Sequence, residues 1–254
     1  EQSILTQGYG LIPGEFSTKA YQTLFEHPGD MLNSLGITMI VTVCGTVFGL
    51  LVTAMAAYVV ARPDFKYRNR FSFYFYFTTL FNGGLLSTYI FMVRYLNLKN
   101  SLLAVILPLA VNVFYMLILK SFMQGVPFSI IESAKIDGAG EYRIFFQLVL
   151  PLTKAGLATV GLFLALDYWN DWYNAMLYLD EHELYPLQYM LYNMMAAKQA
   201  IARMAARSGI KVANMPSNSL KMAMAIVAVA PVILLYPFVQ KYFVRGITIG
   251  AVKG

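Results

Sequence analysis

Cysteine is almost missing from this chain. Cys44 stands alone, so no disulfide can form within the chain and no cysteine cluster can hold a metal. Histidine is nearly as scarce: His27 and His182 lie far apart in polar segments, and the acidic run DEHE from Asp180 to Glu183 reads as a solvated turn rather than a metal site. No GxxxxGK(S/T) phosphate loop, HExxH or GxSxG occurs anywhere. Neither nucleotide hydrolysis nor a familiar hydrolytic site is therefore written here, and the chain is not expected to be an enzyme by itself. No metal, cofactor or nucleic-acid partner is expected for it.

Charge is the other shortage. Only 13% of the 254 residues are charged and 58% are hydrophobic, a balance that would coat a soluble domain of this size in apolar surface. Apolar residues come in long blocks rather than short alternating strands, which predicts an all-α polytopic membrane protein made of one transmembrane domain over 1–254.

Five blocks read as spanning helices, at about 33–61, 71–93, 101–124, 151–173 and 219–240. The first is free of charge and would cover roughly 43 Å at 1.5 Å per residue, more than a hydrocarbon core of about 30 Å, so it must tilt or project. The second opens with FSFYFYF and is interrupted by Asn82, Gly83 and Gly84. Between the first two, the loop RPDFKYRNR carries Arg62, Lys66, Arg68 and Arg70, and the tail adds Lys241, Arg245 and Lys253. The positive-inside rule places both in the cytoplasm, together with the connection between the third and fourth spans, and puts 174–218 outside. That orientation starts Glu1 outside without an initiator Met or signal peptide, which suggests a sixth span before residue 1.

The connection over 125–150 is the most informative segment. Ser129 and Glu132 have the spacing of a capping box, and Gly138 suits the left-handed position that ends a helix, so a short helix is expected over about 130–137. A second helical stretch from about Glu141 leads to Pro151, which could open the next span from its first turn.

Here the sequence resembles a known family. Glu132, Ser133, Ala134, then Gly138, then Leu148, Leu150 and Pro151 resemble the EAA loop of binding-protein-dependent ABC importer permeases, with Ser133 in place of Ala and Leu148 in place of Ile. The phrases AAYVVARPDF, FNGGLLSTY, KIDGAGEYRIFFQLVLPL and YPFVQKYFVRGITIGAVKG look like the carbohydrate branch, and most like its permeases for complex oligo- and polysaccharides. The resemblance implies a multi-pass subunit of a bacterial inner membrane, working with a second permease, two ATPase subunits and an extracytoplasmic solute-binding protein. ATP and Mg would then be bound by the ATPase partners. Glu132, Ser133, Ala134, Asp137, Gly138, Leu148 and Pro151 would form the coupling element that seats in an ATPase.

For the sugar path, the polar residues within or at the ends of spans are the candidates: Asn82, Asn112, Asp167, Trp169, Asn170, Asp171 and Trp172. Intramembrane ionisable groups are functional by default, while aromatic faces and amides suit sugar rings and hydroxyls. The same tryptophans fit an interfacial belt, and Asn112 could bond a neighbouring helix. In the outer loop, Leu187, Met190, Leu191, Met194, Ile201 and Met204 recur at helical spacing from Pro186 to Arg207, with Gln199, Arg203 and Arg207 on another face. This helix could rest on the membrane, on the partner permease or on the docked binding protein, and its basic face suits an acidic oligosaccharide such as an alginate fragment. An importer of another solute shares the coupling motif and stays open. A secondary transporter would show internal repeats and midplane charges, neither of which is evident.

Overall fold

The computed structural model describes residues 18–26, 28–81, 83–208 and 219–233. Among them there is no strand, and the chain is all-α as its apolar blocks require. The elements are α1 (Lys19–Leu24), α2 (Pro28–Ala61), α3 (Arg68–Leu80), α4 (Gly84–Ile90), α5 (Leu102–Ile106), α6 (Val113–Gln124) and α7 (Phe128–Ile136), then α8 (Glu141–Ile144), α9 (Lys154–Asn170), α10 (Tyr173–Tyr178), α11 (Leu187–Arg207) and α12 (Ser219–Ile233).

The long helix α2 is the spine, and both α6 and α9 pack along it. Close approach depends on missing side chains. A Cβ on Gly45 would sit 2.6 Å from the Tyr168 ring, and one on Gly49 would lie 3.1 Å from the Ala110 carbonyl oxygen. Two glycines four residues apart thus give α2 a smooth face on which α9 and the chain before α6 can settle, the small-residue packing that membrane helices use in place of a hydrophobic drive. Tyr168 uses the space: it is buried, and its hydroxyl donates to the Ile106 carbonyl at 2.8 Å.

Several of the expected spans are bent or divided. At 34 residues α2 is longer than the expected 33–61 and alone qualifies as a continuous crossing helix among the described residues. The block 101–124 is not one helix: Leu102–Leu109 and Val113–Gln124 meet at 54°. Pro108 has no amide hydrogen to continue the ladder, and Asn112 restarts it, its Oδ1 accepting from the Phe114 amide at 2.9 Å. The fourth span begins at Lys154 rather than Pro151, because Glu141–Leu152 and Lys154–Asn170 meet at 85°. Pro151 therefore sits in the last turn before the corner. There Thr153 folds its Oγ1 back onto the Val149 carbonyl at 2.8 Å. The block 71–93 is likewise two pieces, since α3 stops at Leu80 and Gly84 takes a positive φ of 82° to restart the chain as α4. Counting each bent pair as one span, the described residues hold up to three crossings, with α12 as a shorter apolar helix. The remainder of the fifth block, the basic tail, His27 and Asn82 lie outside the described residues.

Candidate functional site: the 125–150 loop and the opposite end

The segment 125–150 folds as helix, turn, helix. Helix α7 starts at Phe128, with Pro127 at its cap position and no side-chain cap. The expected capping box is therefore absent: Ser129 already lies inside the first turn, and the proline sets the entry instead. The other end matches its sequence. Gly138 has φ 80°, its amide bonds to the Lys135 carbonyl at 3.0 Å and the Ala139 amide reaches the Ala134 carbonyl at 2.9 Å, the paired bonds of a Schellman stop. Ile131 and Ala134 are buried and pin the helix to the body of the molecule. Leu148 packs half-buried on the same core. Glu132, Ser133 and Asp137 face outward, and among the described residues Glu132 makes no ion pair or side-chain hydrogen bond. One turn further along the helix Ile136 is 87% exposed.

Charge on the inner side of α7 fixes its position. Helix α2 ends at Ala61 because Pro63 disfavours helical backbone at Arg62. The buried Arg62 guanidinium then reaches the Asp64 carboxylate at 2.6 Å and Glu141 at 2.9 Å, and also donates to the Tyr58 hydroxyl one turn earlier. The Tyr58 hydroxyl in turn donates to Glu141 at 2.7 Å. From α7, Lys135 closes the network on Asp64 at 2.8 Å and on Glu141 at 3.2 Å. The Arg62 planar fork lies over the rings of Tyr58 and Phe128, at 5.3 and 5.8 Å from their centroids. Hydrogen bonding from Arg62 holds the Asp64 carboxyl well below the usual carboxylate range, with help from Lys135. Burial alone would raise Glu141, but hydrogen bonds from Tyr58 and Lys135 and the nearby positive charges outweigh it and leave it lowered. Hydrogen bonds to Asp64 and Glu141 raise Lys135. The end of α2, the RPDF turn, α7 and the start of α8 are thus one ionically bonded unit. This places the basic loop and the 125–150 loop at the same end of the molecule. Sequence reasoning counted Arg62 only as loop charge and passed over Tyr58, Asp64, Lys135 and Glu141. Their one sequence signal is alternating charge across two distant loops.

At the opposite end the candidate path residues do not converge on one point. Asp167 accepts from the Tyr115 hydroxyl at 2.7 Å, tying α9 to α6. Buried Trp169 donates its indole N–H to the Ala228 carbonyl at 3.0 Å and so anchors α12. Asp171 holds the start of α10 by accepting from the Asn174 amide and side chain at 3.1 and 3.0 Å. Asn112 is occupied as a helix cap. Asn170 and Trp172 do share a surface: Asn170 Oδ1 accepts from Gln188 at 3.3 Å, and the Trp172 ring stacks on Tyr192 with centroids 4.5 Å apart. Helix α11 follows the expected 186–207 limits. Its first half is buried through Leu187, Met190 and Leu191, whereas Ile201 and Met204 stay exposed beyond the body that covers that half.

No protein-family model matches the chain. Curated relatives do: it is 38% identical over 253 residues to the polygalacturonan/rhamnogalacturonan transport system permease protein YtcP of Bacillus subtilis, covering 100% of this chain and 87% of that one. The chain belongs to the carbohydrate ABC transport permeases. The permease is also 36% identical over 256 residues to protein LplC of the same organism, covering 100% and 85% of the two chains. It is 31% identical over 255 residues to the trehalose transport system permease protein SugB of Mycobacterium tuberculosis, covering 96% and 85%. Among solved structures, a bacterial ABC transporter involved in the import of the acidic polysaccharide alginate matches with a TM-score of 0.78 at 28% identity, over 95% of this chain and 85% of that one. The permease is a membrane transport subunit, as its relatives are.

Proposed function

We propose that this permease serves a bacterial inner-membrane importer of acidic oligo- or polysaccharides, and that α7 is the helix a partner ATPase grips. The observation that carries the coupling reading is the exposed pair of Glu132 and Ile136 on α7, a helix buried on its other side through Ile131 and Ala134 and ionically bonded through Lys135. A load applied to that pair passes through Lys135, Asp64 and Arg62 into α2. Through the 85° corner at Thr153 it also passes into α9. Closure of two ATPases would rock both helices together and alternate access to a central path, while this chain supplies no chemistry. A second permease, two ATPase subunits that bind ATP and Mg, and an extracytoplasmic binding protein complete the assembly. Support for acidic cargo comes from the relatives: polygalacturonan and alginate both carry a carboxylate on their sugar rings.

Substitution at Glu132 and Gly138 tests this. Glu132 caps nothing, so Glu132→Ala should change fold stability by less than about 0.5 kcal/mol. Sugar uptake and ATPase stimulation by loaded binding protein should nevertheless both fall several-fold. Gly138→Val forces a β-branched residue to positive φ, at a cost of about 1–3 kcal/mol, and should abolish uptake while the complex still co-purifies. Normal uptake in both variants would return the loop to a capped turn.

A further inference from the structure

Between α11 and α12, at the end away from the basic loop, lies an open groove of about 430 Å³. Its size falls within the roughly 300–1,000 Å³ typical of small-ligand sites. Trp172 and Tyr192 form one wall, stacked with their planes 20° apart and each left partly bare, at 37% and 42% exposure. Gln188 and Gln199 stand along the same side and Lys221 opposite, over a floor of methionine and alanine side chains. Among the described residues no carboxylate lines the groove and Lys221 has no ion-pair partner. The Gln188 amide is already oriented, because its nitrogen donates to Asn170 at 3.3 Å and its oxygen is left to accept.

We infer that this groove is a passage site for uronate-type sugar rings, with Trp172 and Tyr192 as the ring platform, Gln188 and Gln199 binding hydroxyls and Lys221 pairing with the sugar carboxylate. The apolar face of a sugar ring stacks on an aromatic wall, its equatorial hydroxyls need amide partners, and a carboxylate needs a cation that has no internal partner. All three requirements meet in one concave surface. A tryptophan that serves only as an interfacial anchor needs none of these neighbours. The inference rests on the import reading above and adds where, and by which groups, the acid is recognised.

The test uses the complete reconstituted importer with its binding protein, fed short oligogalacturonates and the same oligosaccharides after carboxyl reduction. Lys221→Gln should lower the ratio of acidic to reduced uptake about ten-fold, the effect of losing one charge-assisted hydrogen bond. Lys221→Arg should restore most of that ratio. Trp172→Ala should reduce uptake of both forms, and Trp172→Phe should recover the larger part. An unchanged ratio in Lys221→Gln would overturn the site and leave Lys221 to lipid phosphates. Equal uptake by Trp172→Ala and wild type would overturn the ring platform. If the wild-type complex imports neither form, the import reading itself falls; if it imports both and only the variants disappoint, the groove alone is refuted.

Discussion

The two ends of this permease are held together by different chemistry. At the basic-loop end, four segments converge on one guanidinium, and Arg62, Asp64, Lys135 and Glu141 share their charges within bonding distance. At the other end the ties are dispersed and mostly neutral: Thr38 accepts from the Leu187 amide at 2.7 Å, Asn33 donates to the Glu183 carbonyl at 2.6 Å, Trp169 reaches Ala228, and the Lys99–Asp180 ion pair at 2.6 Å stands exposed and apart from them. A network centred on one buried cation fails as a unit, whereas separated neutral bonds fail one at a time. The first arrangement suits a part that must move as a rigid body. The second suits a surface where helices can shift singly around a passing ligand.

Arg62→Ala gives the largest expected effect. Removing one partner of a buried ion pair costs about 3–5 kcal/mol, and partial exposure of Asp64 and Glu141 brings the expectation here to about 2–3 kcal/mol. Thermal unfolding of the purified complex checks it, and the Arg62→Ala, Asp64→Asn double variant should be strongly non-additive. Additive losses would mean that the cluster is a set of separate pairs.

Trp169→Phe, at the other end, should cost less, about 0.5–1.5 kcal/mol for one lost hydrogen bond. The loss should add to that of Thr38→Val, since their bonds are made to different helices. Coupling between these two substitutions in a double-mutant cycle would erase the contrast between the ends.

The smallest effect concerns pH. Asp64 and Glu141 have folded-state values below their unfolded ones, so their contribution is present above the unfolded carboxylate range near pH 4 and lost as pH falls through the folded values. Lys135 is raised, so its contribution is full below its ordinary range and is lost only as strongly alkaline pH passes its folded value. The stability gap between wild type and Asp64→Asn should therefore be flat from about pH 5 to pH 9 and shrink only under stronger acid. A gap that already closes between pH 7 and pH 5 would remove the ionic account of this end.

Much of the 125–150 loop was legible in the sequence, because its signals are local. Gly138 was identified by the left-handed backbone conformation that glycine adopts without strain, and the glycine did adopt it. The capping box failed for the same reason in reverse: Ser129 and Glu132 had the right spacing, but Pro127 had already started the helix. Spans were legible as apolar blocks and illegible as straight helices. A proline at 108 or 151 announces a missing hydrogen bond, but whether the chain kinks, restarts or turns a corner depends on what receives the orphaned groups.

Composition and long apolar runs determined by themselves that the chain is helical and lives in lipid, since every backbone polar group there must be satisfied within its own segment. The spacing from Glu132 to Pro151 carried the resemblance to importer permeases, and similarity along the whole chain to its relatives shows the carbohydrate family. Tertiary structure alone decided that Arg62 reaches Glu141 across 79 residues, that Trp169 is an anchor while Trp172 lines a groove, and that Tyr192 and Lys221 belong with it. Those assignments depend on which faces of separate helices meet. Nothing in local spacing encodes that, because the packing of Gly45 and Gly49 against Tyr168 and Ala110 sets the helix positions from which every such contact follows.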